Sequence, residues 1–299
     1  MVGKVQGIHV GAHKTGTSLV QRHLERFPET YADHGVEFLT RDEMSRLVTW
    51  GEALVERPDL LRERLAAFQA NPSARALFGS YENLLGGPFL PGVPGFYPRA
   101  RRNLAALAEI CGDAPTKVFL SIRRPSEFVE SWYLQTVHMG SSQTLEEWLA
   151  GVDLTSISWR PIVTAMIELF GPDAVEVVDF ELVQEGQGAY LGRFLRVLDP
   201  EFDDTHDPPT PYNRSVSGKG LRMALGANPH LRDAEERRAL RKFLQRNFSN
   251  VDYPRPVLLG PERAAAIDAS WVTELGELRA LNAFARGEAT SRRRGKPVS

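Results

Sequence analysis

Short apolar runs alternate with longer amphipathic segments along the first two thirds of the chain. The apolar runs are bounded by Gly, Pro, Asp or Asn, and they predict strands at Val5–Val10, Ala74–Tyr81, Lys117–Ile122 and Ala174–Asp179. The segments between them repeat apolar residues at helical spacing, which predicts helices at Thr17–Phe27, Pro58–Ala70, Arg99–Cys111, Ser126–Val137, Pro161–Phe170 and Ala189–Leu198. This alternation predicts an α/β fold, with a mostly parallel sheet flanked by helices on both faces.

The last third of the chain has a different pattern. Asp199–Tyr212 is acidic and rich in proline, which predicts a long loop or linker. Beyond it the pattern contains no strand candidate and predicts helices at Lys219–Leu225, Asp233–Phe248 and Pro261–Ala285. We therefore predict an α/β core at residues 1–215, a helical C-terminal extension packed on it at 216–285, and a basic tail at 286–299 that we expect to be disordered.

Composition and charge exclude several classes of protein. The net charge of −2 argues against nucleic acid as the main partner, because such proteins usually carry a basic surplus. The single cysteine, Cys111, excludes an internal disulfide framework and predicts a buried small hydrophobe. No apolar run approaches the roughly 20 residues that a membrane span needs, so no membrane insertion is expected. Without a signal-peptide pattern at the N-terminus, the expected location is cytoplasmic.

The first predicted strand leads into a candidate anion site. The strand ends before Gly11, passes through His13-Lys14-Thr15-Gly16-Thr17-Ser18, and opens into a helical pattern. Free backbone N–H groups and the positive end of the helix dipole favour an anion at such a turn, and Lys14 adds a positive charge. Lys14 precedes Gly16, whereas the lysine of a nucleoside-triphosphate P-loop follows its second glycine. The sequence therefore predicts a phosphate cradle of a different type.

A second candidate site follows the third predicted strand. Arg123 ends the strand, and Ser131 lies eight residues further on in the next predicted helix. These two residues have the chemistry to hold one phosphate from two sides. Alternatively, Arg123 or Arg124 pairs with Glu127 or Glu130 across the helix start. The sequence leaves both interpretations open. Since ligands bind at the carboxyl ends of parallel strands, Gly11–Ser18, Glu82 and Arg123 are expected at one edge of the sheet.

Together the two segments resemble the bacterial sulfotransferases that use 3′-phosphoadenosine-5′-phosphosulfate (PAPS). His13–Ser18 is similar to the family's 5′-phosphosulfate loop, and Arg123–Ser131 is similar to its 3′-phosphate motif, including the eight-residue interval. Asn213 and Ser215 lie in a stretch that is similar to an Asn-x-Ser segment of many bacterial members. The resemblance covers residues 5–215 in outline and implies a P-loop-like sheet in a PAPS-binding core.

The resemblance implies a role for each matching residue. Lys14 would contact the bridging oxygen of the phosphosulfate and stabilise charge on the leaving phosphate. The 5′-phosphate would be bound by Thr15, Gly16, Thr17 and Ser18, and the 3′-phosphate by Arg123 and Ser131. Asn213 and Ser215 would also belong to the donor site. No metal is required, because a preorganised cluster of donors supplies the electrostatic stabilisation.

The acceptor hydroxyl must also lose its proton to a base. Members of the family use a histidine or glutamate near the end of the second core strand, where this chain has Ser80-Tyr81-Glu82-Asn83. Glu82 is therefore the candidate general base, and an exposed loop carboxylate is the alternative interpretation. His13 is a second candidate, although a structural hydrogen-bonded imidazole is favoured for it. His9 is expected to be buried. His138 either lines the acceptor pocket or interacts with the end of its helix, and the second interpretation is favoured.

The acceptor cannot be deduced from the sequence, beyond a hydroxyl on a small molecule or carbohydrate. The oligomeric state is equally open, a homodimer included. A competing hypothesis is a P-loop-like kinase or phosphotransferase, because Val175–Asp179 is an apolar strand that ends in a possible magnesium ligand. A third hypothesis is a nucleotide-binding module without catalytic activity, against which the presence of Lys14 and Glu82 counts.

Overall fold

The computed structural model describes residues 4–198 and 215–281. The strands of these ranges form one parallel sheet, and their bounds are Val5–His9 (β1), Val36–Leu39 (β2), Ala76–Ser80 (β3), Thr116–Ile122 (β4) and Val175–Asp179 (β5). The strand order is β2-β3-β1-β4-β5, which puts β1 at the centre with β3 and β4 as its neighbours. The predicted α/β fold with a parallel sheet is confirmed.

Helices connect the strands and continue to the end of the described residues. They are Thr17–Arg26 (α1), Pro28–Asp33 (α2), Arg41–Val48 (α3), Glu52–Glu56 (α4), Pro58–Ala70 (α5), Ala100–Cys111 (α6), Pro125–His138 (α7), Leu145–Leu149 (α8), Arg160–Phe170 (α9), Gln187–Leu198 (α10), Gly218–Ala227 (α11), Ala234–Asn247 (α12), Pro261–Ile267 (α13) and Trp271–Ala280 (α14). All the predicted helices up to residue 248 are present, with ends that differ by at most two residues.

The prediction of a single helix at Pro261–Ala285 is wrong over the residues that the structure describes, 261–281. The chain leaves the helical conformation after Ile267 and resumes it at Trp271. Asp268 lies at the break, where its carboxylate accepts hydrogen bonds from the backbone N–H (2.9 Å) and the hydroxyl (2.6 Å) of Ser126. The break therefore ties the C-terminal helices to the first turn of α7. Residues 282–285 and the basic tail at 286–299 lie outside the described residues.

Strand β2 was not predicted from the sequence. It has four residues and, within the described ranges, pairs along one side with β3 at the edge of the sheet. Its outward-facing Glu37 accepts hydrogen bonds from Arg64 (2.7 Å) and Asn71 (2.8 Å), so the charged residue in the middle of the strand is partnered. A short strand interrupted by a charge gives little periodic signal, which explains the omission.

Two apolar clusters lie on opposite faces of the sheet. Along β4, Val118, Leu120 and Ile122 belong to the larger cluster, whereas Phe119 belongs to the smaller one, as the alternation of side chains in a strand requires. The larger cluster includes apolar residues of α5, α6, α7 and α9, and the smaller one includes those of α1 and α10. Cys111 is buried in the larger cluster, as predicted, and burial raises the pKa of its thiol to about 11.

The C-terminal helices pack on the same core. α11, α12 and α13 contact α7, and α14 contacts α9. Trp271 and Leu278 of α14 are buried in the larger cluster. None of the helices in the described ranges combines the length and apolar character needed to cross a membrane. The packing places α12 beside α7, and α12 thereby reaches the site described next.

Candidate functional site

The carboxyl ends of the strands open into a cavity of about 710 Å³. Most of the residues singled out from the sequence line it: His13, Lys14, Gly16, Thr17, Ser18, Glu82, Arg123, Ser131 and Ser215. Thr15 does not line the cavity, and Asn213 lies outside the described residues. The structure therefore brings the two candidate anion-binding segments and the candidate base to one cavity.

The loop after β1 is held against the segment after β3. Gly11 adopts a φ of 101°, and a Cβ at this position would lie 2.9 Å from the Cα of Glu82. Thr15 and Thr17 donate their hydroxyl groups to the carbonyl oxygen of Ala12, at 2.7 and 3.3 Å. These contacts fix the loop, and they direct the Thr15 side chain into the protein. Any contribution of Thr15 to an anion site thus comes from its backbone N–H.

We expect Gly11→Ala to lower the free energy of unfolding by about 1–3 kcal/mol, because a side chain is strained at this φ and its methyl group meets backbone atoms. Gly226→Ala is the control, since Gly226 lies in α11 with open space around it. That substitution is expected to stabilise the helix by up to about 1 kcal/mol. Urea unfolding of both variants measures the difference, and equal midpoints would show that the loop tolerates a side chain at Gly11.

Backbone donors accumulate where the loop enters α1. Gly16 is the N-cap, with a φ of 86° and no side-chain cap. The backbone N–H groups of residues 14–18 have no acceptor among the described residues. A Cβ on Gly16 would lie 2.9 Å from the Phe180 ring, so glycine allows this close packing. The start of α1 therefore offers several unpaired donors and the positive end of a helix dipole to an anion.

Lys14 supplies a positive charge at the centre of this site. Its backbone has a φ of 61°, and its half-buried side chain lines the cavity. Burial and the positive charges of Arg241 and Arg123 together lower the pKa of its ammonium group to about 8, and Glu82 opposes this shift. An anion bound in the cavity would raise the pKa of Lys14 again, because it favours the charged form of the ammonium group.

Arg123 joins the second segment to the first. Its guanidinium donates to the carbonyl oxygen of Lys14 (3.2 Å) and, from two nitrogens, to the Glu127 carboxylate (3.1 and 2.9 Å). It also lies over the Phe180 ring, 5.2 Å from the centroid. The pairing with Glu127 that the sequence left open is thus present, and it orients a guanidinium that still lines the cavity with Ser131.

Glu82 lies just beyond β3, with 18% of its side chain exposed to solvent. Its Oε1 is 3.7 Å from an Nη atom of Arg41, and its Oε2 is buried without a hydrogen-bond partner among the described residues. A buried carboxylate oxygen without a donor is uncommon and costly. This oxygen is therefore available to accept a proton or a hydrogen bond from a molecule in the cavity.

His13 is held by hydrogen bonds at both ring nitrogens. Nδ1 lies 3.0 Å from the Tyr97 hydroxyl and Nε2 lies 2.6 Å from Oδ1 of Asn83. Burial lowers the pKa of this imidazole to about 4; Asn83 opposes the shift and Lys14 adds to it. With an amide oxygen facing Nε2, the proton resides there and Nδ1 accepts from the tyrosine. This arrangement favours a structural role for the ring, not that of a base.

His9 is buried below the loop, as predicted. Its ring nitrogens contact the hydroxyl groups of Ser80 (2.9 Å) and Ser121 (3.0 Å), and burial lowers its pKa to about 3, opposed by a backbone hydrogen bond at Gly11. Ser121 in turn contacts the hydroxyl of Tyr190 (2.7 Å), which donates to the carbonyl oxygen of Thr15 (2.5 Å). A buried polar network thus connects β1, β3 and β4 with the loop.

The neutral state of His9 and His13 predicts a loss of stability in acid. The unfolded chain protonates both imidazoles near pH 6.5, whereas the folded protein keeps them neutral down to about pH 3 and 4. The free energy of unfolding therefore falls as the pH is lowered from 6.5, by up to about 1.4 kcal/mol per pH unit for each imidazole. Urea unfolding at about pH 7 and about pH 5 measures this slope.

The controls for this slope are two single substitutions. His9→Gln is expected to reduce the dependence on pH, whereas His230→Gln, at an exposed position, should leave it unchanged. A slope that is equal in the wild type and His9→Gln would contradict the assignment to His9.

Sequence reasoning did not single out Arg41, Trp50 and Arg241, which line the cavity. His138 was considered as a pocket residue, with an interaction at its helix end favoured; it lines the cavity, and burial together with Arg241 and Lys14 lowers its pKa to about 3. A signal for the segment of Arg41 existed, because Thr40 caps α3 by accepting from the N–H of Glu43 (3.2 Å). For Arg241 no local signal exists, since the packing of α12 places it.

No protein-family model matches the chain, and no curated protein matches it. One similar solved structure is that of a sulfotransferase from Alicyclobacillus acidocaldarius. The two chains share 16% sequence identity with a TM-score of 0.41, over 79% of this chain and 100% of the other. This degree of similarity does not establish a function, so the function is argued from the residues of the cavity.

Proposed function

We propose that the protein transfers a sulfuryl group from PAPS to the hydroxyl of a small molecule or carbohydrate. The observation that carries the proposal is the convergence of three groups in one cavity: the Lys14–Ser18 loop, the pair Arg123 and Ser131, and the carboxylate of Glu82. The loop suits a phosphosulfate, the pair suits a second phosphate, and the carboxylate suits a hydroxyl that must lose a proton.

The charge of the cavity supports a donor with several negative charges. Among the described residues, the lining includes six guanidinium or ammonium groups and three carboxylates. One of the carboxylates, Glu127, is already paired with Arg123. In the proposed complex Arg123 and Ser131 bind the 3′-phosphate, and the N–H groups of residues 14–18 with the hydroxyl of Ser18 bind the 5′-phosphate; the hydroxyl of Thr17 donates to Ala12. Ser215 lines the same cavity and is proposed as a further donor-binding residue, together with Asn213.

The chemistry that this chain adds is electrostatic. PAPS, when bound, supplies the sulfuryl group and leaves as adenosine 3′,5′-bisphosphate. Lys14 and the N–H groups at the start of α1 stabilise the negative charge that develops on the leaving phosphate, and they require no reorganisation because the loop is fixed. Glu82 accepts the proton of the acceptor hydroxyl at its free Oε2. These residues need no metal ion for their part.

The rival hypothesis of a phosphotransferase rests on Asp179, which lies outside the cavity. Asp179, the proposed magnesium ligand, uses its carboxylate to accept a hydrogen bond from the N–H of Glu181 (3.0 Å) and is not part of the cavity lining. Burial raises the pKa of this carboxyl, which disfavours the charged form that a magnesium ion requires. The sulfuryl transfer is therefore the better explanation of the cavity.

Thermal unfolding with added ligands tests the proposal, because a ligand that binds the folded state raises its stability. Adenosine 3′,5′-bisphosphate in a chelating buffer is expected to raise the melting temperature, and ATP in the same buffer to raise it less. Stabilisation by ATP with magnesium, and not by the bisphosphate, would contradict the proposal. Stabilisation by the bisphosphate without transfer from PAPS to any acceptor would instead favour a binding module without catalytic activity.

A further inference from the structure

A pair of arginines lies on the wall of the cavity that contains Glu82. Arg41, the first residue of α3, reaches to 3.7 Å from Glu82, and Arg241 of α12 is half-buried in the same lining. Neither residue belongs to the segments that match the donor motifs. Their chemistry is that of an anion site, because guanidinium groups bind carboxylate and phosphate groups in a fork.

The order of the strands separates Arg41 and Glu82 from the proposed 3′-phosphate site, and the charge of Arg41 acts on Arg241. Arg41 follows β2 and Glu82 follows β3, on one side of the central β1 loop, whereas Arg123 follows β4 and Phe180 follows β5, on the other side. Lys14, on the central loop, lies between the two sides. A donor held by Arg123 and Lys14 therefore leaves the wall of Arg41 and Glu82 to the acceptor.

Arg241 has no hydrogen-bond or ion-pair partner among the described residues. A half-buried cation in this state is costly, since buried charges are normally paired. Burial and the neighbouring charge of Arg41 lower its pKa, and its own charge acts on Lys14 and His138. An anion that enters this side of the cavity would offset the repulsion among Arg241, Arg41 and Lys14.

Trp50 adds an apolar wall at the same side. Its side chain is 42% exposed, lines the cavity, and stacks on the His13 ring with the centroids 5.7 Å apart. An exposed indole fixed in this way is a suitable platform for the face of a sugar or aromatic ring. The acceptor side therefore combines a ring-binding surface, a base and unpaired positive charge.

We propose that the acceptor is a hydroxylated ring compound that carries a carboxylate or phosphate group, bound by Arg241 and Arg41 while Glu82 takes the proton of its hydroxyl. The inference rests on the proposed sulfuryl transfer and adds the charge of the acceptor to it. The two anionic groups share the chemistry that a guanidinium recognises, and matched probes distinguish them.

The test measures binding of matched compounds to the protein saturated with adenosine 3′,5′-bisphosphate. The pairs are glucose 6-phosphate with glucose, glucuronic acid with glucose, and 4-hydroxyphenylacetate with its amide. The anionic member of at least one pair is expected to bind about tenfold tighter or more than its uncharged partner in isothermal titration calorimetry, as a charged hydrogen bond in a cavity supplies. The pair that responds identifies the anionic group.

Two variants test whether Arg241 is responsible for the preference for the anionic compound. Arg241→Gln is expected to abolish it, while the affinity for the bisphosphate alone changes less than about threefold, which also shows that the variant folds. The matched control is Arg246→Gln, an exposed arginine of the same helix outside the cavity, which should keep the preference.

Each contrary outcome has a distinct meaning. Equal binding within all three pairs, or a preference that survives in Arg241→Gln, overturns the inference and leaves the sulfuryl transfer intact. A loss of bisphosphate affinity in Arg241→Gln, as large as the expected loss for anionic acceptors, assigns Arg241 to the donor and also overturns it. Failure of the bisphosphate to bind the wild type overturns the proposed function, and the inference with it.

Discussion

Replacing Lys14 with methionine is expected to lower kcat for sulfuryl transfer by about a hundredfold to a thousandfold, the loss typical of one preorganised electrostatic donor. The ammonium group is half-buried on a loop that Thr15 and Thr17 fix to Ala12, so water does not replace it at the same position. The leaving phosphate gains its charge in the transition state. We therefore expect the loss in kcat to exceed the loss in affinity for adenosine 3′,5′-bisphosphate.

The dependence of the rate on pH provides a second readout for Lys14. Its pKa of about 8 predicts that kcat/KM falls as the pH rises through this value, because the free enzyme then loses the positive charge. Lys14→Arg should retain part of the activity and move this decline to higher pH, since a guanidinium stays protonated. Lys242→Met, at an exposed position of α12, is the control and should behave as the wild type. Full kcat in Lys14→Met would contradict the role of Lys14.

Replacing Glu82 with glutamine is expected to lower kcat by at least about a hundredfold, the usual contribution of a positioned base. The amide keeps the size of the side chain but accepts no proton at the place of Oε2, which is buried without a partner among the described residues. The proposed contacts of the 3′-phosphate, Arg123 and Ser131, lie on the other side of the central loop. Calorimetry should therefore find an unchanged affinity for adenosine 3′,5′-bisphosphate.

Glu56→Gln is the matched control for the base, because Glu56 is exposed at the end of α4 and outside the cavity. It should leave kcat unchanged. Wild-type turnover in Glu82→Gln would assign proton removal to another group. A parallel loss of bisphosphate affinity would indicate that the Glu82 carboxylate acts on the donor site, where it favours the charged form of Lys14, and not as a base.

The central part of the fold could be predicted because each element carries its own signal. β1, β3, β4 and β5 are apolar runs between Gly, Pro, Asp or Asn residues. Two of the elements that were missed depend on tertiary contacts or are short: β2 holds its charged Glu37 through Arg64 and Asn71, and α4 has five residues. The break at Asp268 likewise depends on Ser126, which lies far away in the sequence. Helix α3 was missed although Thr40 provides a local capping signal.

The candidate site likewise contains some residues that could be placed from the sequence and others that only tertiary packing places. Lys14, Glu82 and Arg123 could be placed together because the carboxyl ends of parallel strands share an edge of the sheet. The hydrogen bonds that immobilise His13 involve Asn83 and Tyr97, and the latter comes from a loop whose path the sequence does not specify. Arg241 reaches the cavity only because α12 packs on α7. The residues of the two motifs and Glu82 were therefore accessible to motif reasoning, whereas the position of Arg241 required the folded chain.

The affinity for the 3′-phosphate of the donor tests the central proposal most directly. In a chelating buffer, the wild type is expected to bind adenosine 3′,5′-bisphosphate about tenfold to a hundredfold tighter than AMP, which lacks only the 3′-phosphate. Arg123→Gln should abolish this difference, and Arg124→Gln, at the exposed neighbouring position outside the cavity, should keep it. Equal affinities for the two nucleotides in the wild type, or a difference that persists in Arg123→Gln, would contradict the proposed PAPS site.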